Sequence, residues 1–254
     1  MNYHWNWKIF ADPAPDGTGT YMDSLLSGLG WTLTTALLAW SIAVVLGVVV
    51  GVLKTTESKV ARRMAFAYIE LFRNIPLLVQ MFIWYFVVPE LLPGSTGHWL
   101  KTLSNGPLVA AVICLGFFTS ARIAVQVSAG IDSLPRGQRA AAKALGLRGR
   151  QIYRYVLLPV AGRRMLLPLT NEFLNNMKNT SVALTIGLVE LTASARSMQE
   201  FSYQVFEAFT AATLIYLVVN LSAVGAIRLI ESAVMPDRSF RGRLQRKRQA
   251  AHHA

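Results

Sequence analysis

The chain is 254 residues long, 53% apolar and 15% charged, with 25 Lys and Arg against 13 acids and a formal net charge of +12. Soluble domains carry about a quarter charged residues, so this composition excludes an ordinary water-soluble globule and points to one compact membrane bundle. A single cysteine, Cys114, excludes an intrachain disulfide and a thiolate metal cluster, and it reads as a small core residue.

The N-terminal stretch MNYHWNWKIFADPAPDG lacks a basic segment followed by an apolar core, so no cleavable signal peptide is expected. Its WNWKIF portion reads as an interfacial anchor. A helix needs about 20 apolar residues to cross hydrocarbon. Segments 25–53, 64–88, 108–131, 166–191 and 209–230 meet or approach that length. The first is the cleanest and the fourth is the least hydrophobic. In the second, Glu70, Arg73 and Asn74 share one helix face, two residues before Pro76, which removes a donor and bends the helix. They read either as a self-satisfied Glu70–Arg73 pair beside a pore or as a pore-lining element. In the fourth, Glu172, Asn175, Asn176 and Asn179 recur at i, i+3, i+4 and i+7, with Lys178 beside them. Unsatisfied polar groups in lipid cost several kcal/mol each, so that stripe is expected to face a path or a partner subunit.

The connections alternate in charge. Lys54, Lys59, Arg62 and Arg63 follow the first segment, and Arg136, Arg139, Lys143, Arg148, Arg150, Arg154, Arg163 and Arg164 follow the third. Arg238, Arg241, Arg243, Arg246, Lys247 and Arg248 follow the fifth and read as a topology and anionic-lipid signal. The other connections carry few cations. The positive-inside rule therefore predicts an external N-terminus and a cytoplasmic C-terminus. The expected fold is an all-α membrane protein, one domain over 1–254, with five transmembrane helices and a cytoplasmic loop over 132–164.

Within that loop, residues 140–159 read AAAKALGLRGRQIYRYVLLP. Ala140, Ala141, Ala142, Lys143, Ala144 and Leu145 are strong helix formers. Gly146 suits a helix C-terminus because glycine takes the left-handed conformation without steric cost. A second helix resumes over 151–158, and Pro159 marks entry to the next segment. Two short helices around a Gly turn also fit a DNA-binding helix-turn-helix, with Arg148, Arg150 and Arg154 on phosphates. A membrane-anchored nucleic-acid-binding regulator and a self-contained secondary transporter are thus the competing classes.

The same stretch resembles the permease subunits of bacterial ATP-binding cassette importers. Their cytoplasmic motif runs EAA, three residues, G, nine residues, I, one residue, L, P. This chain has Ala140-Ala141-Ala142, Gly146, Val156, Leu158 and Pro159 at every required spacing, with Ala140 in place of Glu and Val156 in place of Ile. ELFRNIPLLVQ (70–80), SLPRGQ (133–138) and KNTSVALTIGL (178–188) resemble the polar amino-acid uptake subfamily, most of all a permease of a glutamate/aspartate importer.

The resemblance implies a bacterial inner-membrane protein that is not itself an enzyme. Its loop is a coupling helix docked on a cytoplasmic ATPase through Ala140, Ala141, Ala142, Leu145, Gly146, Arg150 and Pro159. The implied partners are a second permease subunit, related or identical, two ATPases, and a periplasmic amino-acid-binding protein. ATP and Mg²⁺ belong to the ATPase, and this sequence carries no G-x-x-x-x-G-K-[ST] motif. The implied substrate path takes in Glu70, Arg73, Asn74, Arg122, Gln126, Glu172, Asn176 and Lys178. Relatives carry Tyr at the Arg122 position and Glu where this chain has Val125, which makes the site more cationic. Arg122 then either selects an acidic amino acid or packs helices. Glutamine and asparagine are the alternative substrates. No metal site is expected, because His4, His98, His252 and His253 lack ligand spacing.

Overall fold

The computed structural model describes residues 3–234 apart from 16 and 18, so the basic tail, His252 and His253 lie outside the described residues. Among those residues the regular structure is helical, with one isolated β-bridge between Pro13 and Thr20. A 3-10 turn (Trp7–Ala11) leads to α1 (Tyr21–Thr55). Then come α2 (Lys59–Asn74), α3 (Leu77–Phe82), a π turn (Ile83–Val87), α4 (Val88–Leu91), α5 (Gly94–Thr102) and α6 (Gly106–Asp132). The 132–164 connection holds α7 (Arg136–Ala144), α8 (Gly149–Gln151) and a π segment (Ile152–Leu157). This segment runs into α9 (Leu158–Asn179), followed by a 3-10 turn (Thr180–Ile186), α10 (Leu191–Ser202) and α11 (Val205–Val234).

Among the described residues, three helices are long and apolar enough to cross a membrane: α1, α6 and residues 205–229 of α11. The expected segments 25–53, 108–131 and 209–230 fall on them. Their lengths follow from their sequences. Thr20 opens α1 with a reciprocal cap, its Oγ1 accepting from the Asp23 amide at 3.3 Å while Asp23 Oδ2 accepts from the Thr20 amide at 2.9 Å. No proline interrupts the apolar run that follows.

The segment expected at 64–88 is not one straight span. α2 and the helical stretch 77–91 meet at a 100° bend. Pro76 drives Ile75 out of the helical region, to φ −92° and ψ 128°, and supplies no amide hydrogen. Gln80 then does what the backbone cannot: its Nε2 donates to the carbonyls of Phe72 at 2.8 Å and Ile75 at 2.9 Å. Sequence pattern marks the bend but not its size. The segment expected at 166–191 is also corrected. Its α-helix begins earlier, at Leu158, and ends at Asn179. The hydroxyls of Thr180, Ser181 and Thr185 donate to carbonyls three residues back and draw the chain into a 3-10 turn. Gly187, at φ +88°, then reverses the chain into α10.

By packing, the chain divides into two units, residues 1–217 and 218–254. The boundary falls inside the apolar run of α11, so no polar linker marks it in the sequence. In the first unit, α6 packs along α1. Lipid chains are as apolar as leucine, so close van der Waals fit, not hydrophobic exclusion, holds such a pair. Small residues supply that fit: Ala36, Ala39, Ala43, Gly47 and Gly51 of α1 are all buried. Cys114 is buried in α6, as expected of a core residue.

A Cβ at Gly47 would lie 2.5 Å from Ile123 and 2.9 Å from the Ser120 carbonyl, whereas one at Gly30 would meet nothing within 4 Å. Gly47→Leu is therefore expected to destabilise the folded chain by about 1–3 kcal/mol or more, the range for overpacking. Gly30→Leu should leave stability within about 0.5 kcal/mol, as for surface substitutions. Thermal unfolding of both variants in detergent checks this; equal melting temperatures would contradict the seam.

Candidate functional site

The 132–164 connection forms a surface with one strongly presented apolar tip. α7 ends on a paired glycine cap: the Gly146 amide donates to Lys143 O at 2.9 Å and the Leu147 amide to Ala142 O at 3.2 Å. Gly146 sits at φ +77°, the left-handed conformation that glycine tolerates. The turn leaves Leu145 81% exposed, the most exposed leucine of the first unit. Ala140, Ala141, Gly146, Arg150 and Pro159 are exposed as well. Ala142 is not. It is buried in a cluster with Ile152, Leu157 and Ala161, so it packs α7 onto its own chain rather than offering a contact surface. The helix that resumes at Gly149 passes into a π segment from Ile152, and Pro159, which has no amide hydrogen, stands inside the first turn of α9.

Two polar links tie this platform to the end of α1. Tyr153 Oη donates to the Thr55 carbonyl at 2.8 Å, and Arg139 Nη2 donates to Tyr153 Oη at 2.6 Å. Both Arg139 Nη atoms also approach the Thr55 carbonyl at 3.4 Å, and the guanidinium lies over the Tyr153 ring at 5.2 Å. A cation and a hydroxyl aimed at the last carbonyls of a helix match the negative end of its dipole. Separately, Lys143 Nζ pairs with Glu57 at 2.5 Å in the turn after α1. The Lys143 hydrogen bond, then its charge, hold the Glu57 carboxyl below its ordinary value of 4.5. Because the folded value is the lower one, this link contributes above pH 4.5 and is lost as pH falls through the depressed value. Both groups are exposed, so the link is screened and weak. At the other end of the connection, Arg164 of α9 donates to the carbonyl of Ser133, the residue that caps α6, at 2.9 Å.

A second polar group lies between α6 and α9. Arg122 Nε donates to Glu172 Oε2 at 3.0 Å, with the Arg122 side chain 43% exposed and that of Glu172 10% exposed. The Arg122 guanidinium also lies over the Phe118 ring at 5.6 Å. Glu172 offsets the charge of Arg122, so this position is an ion pair and less cationic than the exchange at 122 implies by itself. The remaining guanidinium donors have no protein acceptor among the described residues, and Gln126 is partly exposed one turn along. Asn176 points elsewhere: fully buried, its Nδ2 donates to Ala36 O at 2.9 Å and its Oδ1 accepts from Thr119 Oγ1 at 3.2 Å. The polar stripe of α9 therefore splits. Glu172 and Asn176 are satisfied within the chain, Asn175 and Asn179 are half-buried, and Lys178 is exposed.

In α2, Asn74 Nδ2 donates to Glu70 Oε2 at 2.8 Å, so Glu70 pairs with Asn74 and not with Arg73. Arg73 is exposed at the edge of the bend. Arg139, Tyr153, Thr55, Glu57 and Gln80 were not singled out from the sequence. A basic residue in a basic loop reads as a topology signal, and a hydroxyl bond spanning 98 residues leaves no local trace. Two further buried acids escaped notice. Glu190 caps α10 at the Ala193 amide and accepts from Tyr216, and Glu207 accepts from Tyr3 and the Asn6 amide. The latter pins the N-terminal segment whose Trp5 and Trp7 stack at 5.1 Å, both exposed. No cluster of His, Cys, Asp or Glu suited to a metal occurs among the described residues.

Residues 43–236 match the family described as binding-protein-dependent transport system inner membrane component. The glutamate/aspartate import permease protein GltJ of Escherichia coli K12 is 43% identical over 237 residues, covering 92% of this chain and 96% of that one. The glutamine transport system permease protein GlnP of the same strain is 31% identical, covering 82% and 91%. A solved amino acid ABC transporter with histidines superposes at a TM-score of 0.70 with 31% identity, over 84% of this chain and 95% of that chain. A chain of the MetNI methionine ABC transporter, at 20% identity and a TM-score of 0.69, shares the fold. The chain belongs to the inner membrane component family of binding-protein-dependent transport systems and is a permease subunit of an ABC importer.

Proposed function

We propose that this permease imports acidic amino acids, glutamate and aspartate, across a bacterial inner membrane. It works with a second permease subunit, two ATPases that bind ATP and Mg²⁺, and a periplasmic binding protein. Likeness to a glutamate/aspartate import permease over nearly the full length of both chains carries the substrate class. The chain crosses five times, through α1, the bent stretch 59–91, α6, α9 and α11, with the N-terminus outside and the C-terminus in the cytoplasm. The alternation of basic and cation-poor connections supports this topology.

The exposed tip of α7 carries the docking role. Leu145, flanked by the small residues Ala141 and Gly146 and by Arg150, is what a cytoplasmic ATPase would cover. The ties to Thr55 and Glu57 would make a push on that tip a push on α1. Ala142 contributes from within, by holding α7 down. In transport, Arg122 offers its free donors to a substrate carboxylate while Glu172 holds it in place; a guanidinium pairs bidentately with such a group. Gln126 and Lys178 border the same route, and Glu70, Asn74 and Arg73 border its bend. Asn176 supports the route by joining α9 to α1 and α6. Likeness to a glutamine permease makes glutamine the competing substrate.

Two outcomes test these roles. Leu145→Asp should abolish co-purification of the ATPase while the subunit still inserts and keeps its melting temperature; Ala142→Leu should instead lower that temperature. An ATPase that still co-purifies with Leu145→Asp would contradict the docking role. For selectivity, Arg122→Tyr alone would leave Glu172 buried without a partner, so the informative variant is Arg122→Tyr/Glu172→Gln. Reconstituted with its partners, it should lose glutamate uptake at least about tenfold more than glutamine uptake, the range for one charge-assisted contact. Equal losses would rule out the selective role of Arg122.

A further inference from the structure

Beneath the docking tip lies a cavity of about 480 Å³, within the size range of small-ligand sites. Arg139, Lys143 and Arg150 line it against one acid, Glu57, so its charge is positive. The rest of the wall is apolar, from Val52, Leu147 and Ile152. Arg150 has no protein partner among the described residues. Arg139 uses part of its fork on Thr55 and Tyr153 and keeps further N–H donors. The cavity is therefore amphipathic, with cations able to take a divided anionic charge beside a wall that favours methylenes.

Its position relative to α1 narrows the occupant. Val45, Val49, Val52 and Thr56 recur at i, i+4, i+7 and i+11, one face of the helix. Val45 and Val49 are 65% and 51% exposed on that face, and Val52 and Thr56 reach the cavity. An apolar stripe along a membrane-crossing helix thus runs into a basic pocket at the helix's end. A free anion would gain nothing from the stripe or the apolar wall, whereas a lipid uses all three features. Basic pockets at the cytoplasmic ends of membrane helices hold anionic headgroups in this way.

We propose that this cavity binds the phosphodiester headgroup of an anionic membrane phospholipid, with its first methylenes against Val52 and Leu147. Arg150 and Arg139 donate to the phosphate oxygens, and Lys143 is shared between phosphate and Glu57. The bound lipid joins α7 to the end of α1 and so reinforces the attachment of the docking tip. The inference rests on the proposed crossing of α1 but not on ATPase docking, and the two fail separately.

Native mass spectrometry of the full importer and of its permease subunits without ATPase, both taken from equal mixtures of phosphatidylglycerol and phosphatidylcholine, tests it. Wild-type protein should retain phosphatidylglycerol in preference. Arg150→Gln should cut that preference roughly fivefold, the loss expected for one basic residue beside an anionic surface, with phosphatidylcholine adducts unchanged. Leu147→Glu, which places a carboxylate in the apolar wall, should do the same. The permease-only arm keeps the test valid if Arg150→Gln weakens ATPase association. Unchanged phosphatidylglycerol retention in both variants would overturn the site. So would displacement of the lipid by millimolar inorganic phosphate, or its loss when the ATPase binds, since either would assign the cavity to another occupant.

Discussion

The Thr55 carbonyl is an acceptor in the last turn of a 35-residue helix that is long enough to cross the membrane. Such a group has no partner within its own helix. Here Tyr153 donates to it and Arg139 reaches both Tyr153 and the carbonyl. Three elements distant in sequence meet at this point: the end of α1, the start of α7 and the π turn before α9. Without it, α7 would rest on Ala142 packing and on the exposed Lys143–Glu57 pair. With it, α7 and its exposed Leu145 tip are hydrogen-bonded to the end of α1.

That continuity extends inward. α1 lies against α6 through alanines and glycines, with side chains of α6 filling the space a Cβ would take at Gly47 and Gly51. α9 joins the same pair through Asn176, which bonds both α1 and α6, and through the Arg122–Glu172 pair. These contacts join the exposed Leu145 tip to the Arg122–Glu172 pair by one route through α1, α6 and α9. The bend at Pro76 lies off this route. There Gln80 serves as a substitute donor for carbonyls that the missing helical turn leaves open.

Much of this arrangement was legible in the sequence where the cause is local. Gly146 after a run of alanines announces a helix cap, and the cap formed. The apolar runs of α1, α6 and α11 announce helices of their length, and Pro76 announces a break. The sequence is silent where the cause is a distant partner. Asn176 looks like part of a continuous polar stripe until Ala36 and Thr119 satisfy it. Arg122 and Glu172 read as separate polar groups in different segments, and only the fold pairs them across fifty residues. Glu70 has both Arg73 and Asn74 within helical reach, and the helix surface selects Asn74. The end of α9 was misjudged because hydroxyls that bond back to the chain tighten it into a 3-10 turn without changing its hydropathy.

The proposed docking role predicts that the Arg139–Tyr153–Thr55 contact transmits force rather than merely stabilising a loop. A double-mutant cycle with Arg139→Gln and Tyr153→Phe, reading substrate uptake per ATP hydrolysed in the reconstituted importer, tests it most directly. Each single variant should still bind the ATPase but transport fewer molecules per ATP, and the double variant should be little worse than either alone, since both residues act through one carbonyl. Unchanged uptake per ATP in the single variants, or fully additive losses, would contradict the account.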